Sequence, residues 1–168
     1  LSKMGFKYEI IKEYFSRNKK MKLVDIRTFP SELKALEEKI HPAAPSSSGI
    51  NIDNLPFFVP VAMMARGKTL IHDWVYENRS EYFTELNKLG GKITLLDQHR
   101  VFVEGNKKLH GTKITCPPAL RPAAIILVAM LAAPGKSKLE GIYPINRGYE
   151  RIEERLQKLG AEIKRIEK

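Results

Sequence analysis

The sequence is short of the residues that carry several common chemistries. It holds one cysteine, Cys116, among 168 residues. A lone thiol excludes an internal disulfide framework and a cysteine zinc cluster, and it suits a reducing cytoplasm. The four histidines (His41, His72, His99 and His110) show no metal-ligand spacing. No phosphate-binding glycine loop occurs. Neither a metal nor an organic cofactor is therefore expected. Long apolar runs are missing too. The longest, residues 123–133 (AAIILVAMLAA), falls well short of the about 20 residues a bilayer demands and reads as a buried helix. No signal-peptide pattern opens the chain. Acid is scarce: 19 Asp plus Glu stand against 29 Lys plus Arg, for a formal net charge of +10. Such a balance describes either a basic solvated surface or one that attracts polyanions or phosphorylated ligands. The basic residues are scattered. Their one cluster, residues 17–22 (RNKKMK), sits where a loop between strands is expected. No nucleic-acid-binding motif accompanies it.

What is present is a repeat. Residues 1–5 (LSKMG), 86–90 (LNKLG) and 156–160 (LQKLG) share one pattern. Each closes on glycine, the residue that ends a helix in the left-handed conformation. Each precedes an apolar-rich run that reads as a strand: FKYEII, GKITLL, AEIKRI. Gly67-Lys68 and Gly135-Lys136 lie 68 positions apart, as do Asn78-Arg79 and Asn146-Arg147. Apolar helices are predicted over 54–66 and 119–133, and amphipathic helices over 80–89 and 149–159. In the last, Ile152, Leu156 and Leu159 form one stripe. Pro56 and Pro122 suit first helical turns, whereas Pro60 is placed to kink its helix. Residues 97–100 (DQHR) mark a turn between two strands.

The unit thus reads strand, apolar helix, strand, amphipathic helix, strand, strand. Residues 1–30 form the end of a first, truncated unit. Residues 31–52 connect it onward, with a short helix at 31–40 and a flexible link at 41–49. Residues 53–110 form the second unit and 111–168 an incomplete third, all in one globular domain. The fold class is α/β, with repeated βαβαββ units and helices buried in the core. A chain that starts mid-pattern, at a leucine, reads as a piece of a longer protein.

The repeat also selects side chains. Asp53 and Arg121 occupy equivalent places at the starts of the apolar helices. Arg79 and Arg147 do so at the starts of the amphipathic ones. Helix N-termini favour anions, so an arginine there needs another partner. Its fork matches a carboxylate or a phosphate. The alternatives are a structurally paired arginine or an exposed one. Asp53 is open to two readings, a helix cap or a reactive carboxylate. Cys116 reads as a partly buried thiol, and Met63-Met64 as core filler.

Residues 146–153 (NRGYERIE) are similar to the C-terminal signature of UDP-N-acetylglucosamine 1-carboxyvinyltransferases. Residues 70–91 (LIHDWVYENRSEYFTELNKLGG) fit that family without a gap. Residues 119–121 (ALR) resemble its Asp-Leu-Arg motif, and 24–28 (VDIRT) the strand before its substrate-contacting aspartate. The resemblance covers nearly the whole chain outside 29–52. It implies an "inside-out" barrel of six βαβαββ units in two domains. It also implies transfer of enolpyruvyl from phosphoenolpyruvate to the 3′-hydroxyl of UDP-N-acetylglucosamine, a step toward peptidoglycan, through a tetrahedral intermediate.

By the same resemblance Asp53 is the general base. Val75 meets the nucleotide sugar through its backbone, with Tyr76 beside it. Arg121 and Arg147 bind phosphoenolpyruvate, and Arg79 supports the closed site. Two departures stand out: Ala119 replaces the family's acidic residue, and Asp53 sits in Ile-Asp-Asn-Leu. The family's proton-donating Cys or Asp loop and its N-terminal Lys-Asn motif have no match here. Both are expected in the missing N-terminal half of the same protein, and this chain alone is expected to be inactive. The other readings are the sister enolpyruvylshikimate phosphate synthase, against which RGYERIE argues, a non-catalytic nucleotide-sugar-binding module, and an RNA-associated module of the same repeat.

Overall fold

The structure is a computed structural model that describes residues 1–44, 49–105 and 108–166. Among the described residues seven strands fall into three small sheets. β1 (Tyr8–Phe15) and β2 (Lys22–Thr28) form an antiparallel hairpin, with Tyr8 opposite Thr28, Ile10 opposite Ile26 and a bulge between Ile10 and Lys12. β3 (Lys68–His72), β4 (Lys92–Asp97) and β5 (Arg100–Glu104) form an antiparallel sheet in the order β3-β5-β4. β6 (Lys113–Thr115) and β7 (Lys138–Glu140) pair in parallel across a helical crossover.

The apolar helices form as their sequences require. Residues Leu55–Phe57 are a 3-10 turn that runs into α1 (Phe58–Met64). The switch to α geometry falls two residues before Pro60. That puts the proline in a first turn, where its missing N–H costs nothing. α2 (Leu120–Ala132) is the long apolar run, and it buries Ala123, Ala124, Ile125, Ile126, Ala129 and Met130. Each large aliphatic side chain so buried contributes about 1.5–3 kcal/mol relative to exposure. Val128 and Leu131 point outward, so this helix is covered on one side only.

The amphipathic segment of the second unit is a 3-10 helix, Arg79–Leu89, eleven residues long. Its sequence explains that geometry. Ser80, Phe83, Leu86 and Leu89 are all buried and recur every three residues, a spacing that lines up on one edge of a three-residue turn. This edge packs against β4 and α2, in a core completed by Ile71, Ile93, Val101 and Val103. The three repeated helix-end glycines are left-handed, with φ of 90° at Gly5, 88° at Gly90 and 92° at Gly160.

Three expectations are corrected. Residues 31–40 are extended, not helical. They run parallel to β3 through bridges at Lys34 with Arg66 and Ile40 with Ile71. The Ile40 N–H donates to the Leu70 carbonyl at 2.8 Å and the His72 N–H to the Ile40 carbonyl at 2.9 Å. Pairing with a strand beyond the local segment outcompetes a local helix. Of the link at 41–49, residues 41–44 and 49 are irregular, and 45–48 lie outside the described residues.

The helix expected over 149–159 shrinks to a short helix, Ile152–Gln157. It begins after Arg151 at φ 45°, and Leu159 is 84 % exposed. Residues 161–166 pair with no strand. In the second unit β5 lies between β3 and β4, and β4 is hydrogen-bonded to the sheet only through it. The described residues of the third unit contain no counterpart of β5, so AEIKRI has no neighbour to pair with. Side chains hold it instead. Gln157 donates to the Ile163 carbonyl at 2.6 Å, and Arg165 reaches Asn146 and Glu153. The described residues close no barrel.

Candidate ligand-binding cleft

A cleft of about 430 Å³ opens where the starts of two units meet. Its walls are Asp53, the loop Tyr76–Asn78 with Arg79 and Tyr82, and the first residues of α2 from Ala119 to Pro122. Each wall has a local cause. Asp53 stands in the turn that leads into the first apolar helix, and its own N–H donates to the Asn51 side chain at 2.8 Å. Its carboxylate does not cap that helix. It accepts from Arg121 Nη2 at 2.9 Å. The two positions that the 68-residue repeat makes equivalent therefore meet as an ion pair across the cleft. The pair is partly open to solvent, with side-chain exposures of 49 % for Asp53 and 28 % for Arg121. Solvent screens such a pair, so its net contribution is small, at about 0–1 kcal/mol.

The α2 wall is electropositive for a second reason. Its N-cap position is Ala119, which supplies no side-chain acceptor, and Pro122 has no N–H. The start of α2 lines the cleft with no side-chain cap, and the helix dipole adds to the charge of Arg121. An acidic residue at 119 would partly cancel that field.

The opposite wall is held rigidly. Arg79 is nearly buried, and its Nε donates to Asp73 Oδ2 at 2.5 Å. Its Nη2 donates to the Ile52 carbonyl at 3.0 Å, and its guanidinium lies 4.5 Å from the centre of the Tyr76 ring. The arginine that opposes its helix dipole thus has its partner. The predicted turn at 97–100 pins the same loop from outside. The Asn78 N–H donates to the Gln98 carbonyl at 3.0 Å, and Asn78 adopts the left-handed φ of 59° that swings the chain into the helix.

The predicted site residues divide accordingly. Asp53, Tyr76, Arg79 and Arg121 come together around the cleft. Val75, next to Tyr76, does not line it; it is 51 % exposed, with its N–H donated to Asp73 Oδ1 at 3.2 Å. Among the described residues its carbonyl accepts no hydrogen bond. Arg147 is exposed and does not line the cleft. It sits beside Gly148, which packs so closely on Leu120 that a Cβ there would lie 2.5 Å from Leu120 Cδ2. Sequence reasoning missed Asp73 and His99. The available signal was a lone acid at the end of an apolar strand, six residues before an arginine.

Burial pushes the Cys116 thiol up to about 11, which favours the thiol over the thiolate at neutral pH. Among the described residues no helix is long and apolar enough to cross a membrane.

A cleft with a carboxylate, an arginine opposite it and an uncapped helix start suits a ligand bearing both an anion and a hydroxyl. The α/β fold belongs to a known class. The profile of the family described as EPSP synthase (3-phosphoshikimate 1-carboxyvinyltransferase) matches residues 1–156, and the chain belongs to this enolpyruvyl transferase family.

Among individual relatives, a UDP-N-acetylglucosamine 1-carboxyvinyltransferase of Campylobacter lari is 32 % identical over 99 % of this chain and 36 % of its own length. One from Chlorobium phaeovibrioides is 43 % identical over 60 % of this chain and 23 % of its own length. The crystal structure of the enolpyruvyl transferase NikO from Streptomyces tendae superposes with a TM-score of 0.75 at 29 % identity, over 98 % of this chain and 34 % of that one. An EPSP synthase from Acinetobacter baumannii shares the fold, with a TM-score of 0.73 at 18 % identity. The chain spans about 36 % of the first of these relatives.

Proposed function

We propose that this chain supplies the nucleotide-sugar and anion-binding wall of a cytoplasmic enolpyruvyl transferase. The whole protein would transfer enolpyruvyl from phosphoenolpyruvate to the 3′-hydroxyl of UDP-N-acetylglucosamine. The observation that carries the reading is the Asp53–Arg121 pair at the uncapped start of α2, 2.9 Å across one cleft. The relatives' names and the match of RGYERIE support the choice of substrate. The rest of the polypeptide would bring the proton donor for the methylene carbon, so the chain alone binds without turning over.

The steps follow from the residues. Arg121, the amides of the α2 start, and Arg147 from the neighbouring loop take the phosphate or carboxylate of phosphoenolpyruvate. Binding that anion draws Arg121 away from Asp53 and frees the carboxylate. Asp53 then accepts the proton of the sugar hydroxyl as its oxygen bonds to C2 of the enol, while a proton is added at C3. Loss of phosphate from C2 of the tetrahedral adduct, together with a proton from the C3 methyl, restores the double bond. Tyr76 and the Val75 carbonyl orient the sugar, and Arg79 keeps their loop in place. The basic balance of the chain, +10 overall, draws both anionic substrates in.

Calorimetry tests the binding half. UDP-N-acetylglucosamine should bind weakly, ahead of shikimate 3-phosphate and single-stranded RNA, and Arg121→Ala should weaken phosphoenolpyruvate binding selectively. Tighter RNA binding that survives moderate salt would instead make this an RNA-associated module. In the complete enzyme, Asp53→Asn should keep substrate affinity and lower turnover by about 10²–10⁴-fold. Unchanged turnover would remove Asp53 from the chemistry.

A further inference from the structure

The loop between β3 and the 3-10 helix is organised by a carboxylate that does not line the cleft. Asp73 is 0 % exposed. Its Oδ1 accepts the N–H of Val75 at 3.2 Å and of Tyr76 at 3.1 Å. Its Oδ2 accepts Arg79 Nε–H at 2.5 Å. Its main chain is held as well. The Asp73 N–H donates to the His99 carbonyl at 2.8 Å, and the Asp73 carbonyl accepts His99 Nδ1–H at 2.7 Å. A buried carboxylate this fully bonded is a fixed post, because moving it breaks several bonds that water cannot replace.

Arg79 is the arm on that post. Its second donor is not used on the other Asp73 oxygen, as in a closed bidentate pair. It reaches across 27 residues of sequence to the Ile52 carbonyl, at 3.0 Å. The peptide that owns this carbonyl is the one that carries Asp53, and Asp53 meets Arg121 at 2.9 Å. One chain of contacts therefore runs from Asp73 through Arg79 and the Ile52–Asp53 peptide to the cleft. A pair kept only for stability has no need of this last link, since packed apolar residues serve as well.

We infer that Asp73 is a positioning residue: acting through Arg79, it sets where the Ile52–Asp53 peptide stands and so how Asp53 is aimed at Arg121. The importance of that aim rests on the proposed role of Asp53; the coupling itself does not. Two substitutions interrupt the chain at different points. Asp73→Asn keeps the shape, and its amide oxygen still accepts from Val75 and Tyr76, but it loses the charge that holds Arg79. Arg79→Lys keeps a cation yet cannot span both acceptors, because it lacks the fork.

NMR of this chain reads the result. In Asp73→Asn, exchange of the Arg79 Nε–H should quicken by about tenfold or more, the scale of one charge-assisted hydrogen bond. In both variants the Ile52 carbonyl and Asp53 amide resonances should move, while the methyls of Ile71, Val101 and Val103 stay at wild-type positions. Fast exchange at Arg79 with unmoved Ile52 and Asp53 signals overturns the inference and leaves a pair that only stabilises. If Asp73→Asn does not fold, Arg79→Lys decides alone, since it leaves the Asp73 carboxylate and its backbone N–H donors, Val75 and Tyr76, in place. Titrating the wild-type chain with UDP-N-acetylglucosamine separates the two ideas. No binding there defeats the functional reading, while moved Asp53 signals in the variants still uphold the coupling.

Discussion

Two hairpins of this molecule occupy the same place in the repeat and have opposite surroundings. β1 and β2 follow the helix end at Gly5, and β4 and β5 follow the one at Gly90. Both pairs are antiparallel, and both carry one irregularity, after Ile10 and after Leu95. Tyr8 and Thr28 pair where Ile93 and Val103 pair; Ile10 and Ile26 pair where Leu95 and Val101 do. Yet every residue of β1 is exposed, whereas Val101 and Val103 are fully buried. The difference lies in the helices. α1 and the 3-10 helix cover the β4–β5 face, and no described helix covers Ile10 and Ile26. Strand pairing needs only the two strands and their turn, while burial needs elements from elsewhere in the unit.

The largest effect that tests this comparison is a charge placed on each face. Val103→Asp should cost about 4 kcal/mol or more, because an unpaired carboxylate would enter the core. That is enough to unfold a domain whose total stability is about 5–15 kcal/mol. Thr28→Asp at the matching place should change stability by no more than about 0.5 kcal/mol. Urea titration followed by circular dichroism measures both. Similar losses at the two sites would show that something covers the β1–β2 face after all.

Thiol labelling sharpens the contrast residue by residue. Ile26→Cys should react with iodoacetamide like a free thiol, and Val101→Cys about 100-fold more slowly, limited by opening of the core. Cys116 makes a quiet background. With its thiol raised to about 11, only about one molecule in a thousand carries the thiolate at pH 8. Its own labelling should rise as the pH climbs toward that value.

The smallest effect concerns the β6–β7 pair, where side chains rather than helices reinforce the ladder. Glu140 accepts from Lys113 at 2.9 Å and Lys138 at 2.8 Å. These bonds lower its carboxyl to about 2, from an ordinary value near 4.5. A folded-state value below the unfolded one adds stability above pH 4.5, which is lost as the pH falls toward 2. Amide exchange at Ile114 and Leu139 should accelerate over that window. The acceleration should weaken in high salt, since the pair is solvated, and Glu140→Gln should abolish it.

Much of this arrangement was legible in the residues. Glycine closes helices for a local reason, so Gly5, Gly90 and Gly160 were readable, as was the apolar run that became α2. The 68-residue offset named Asp53 and Arg121 as equivalent positions. Their pairing was not legible, because the ion pair joins two units and depends on how the helix starts converge. Asp73 escaped notice because its role is spread over partners at Val75, Tyr76, Arg79 and His99, none of which marks it by spacing.

The sequence alone determined what short-range forces control: the order of elements, the helix-end glycines, the turn at 97–100, the basic balance and the family signature of residues 146–153. Tertiary structure decided the rest. It drew residues 31–40 into pairing with β3 and buried Val101 and Val103 under α1 and the 3-10 helix. It also joined Asp73, Arg79, Ile52 and Asp53 into one line of contacts. Each of these outcomes depends on a partner many residues away, so it is set by which surfaces meet, and no window of local sequence contains that information.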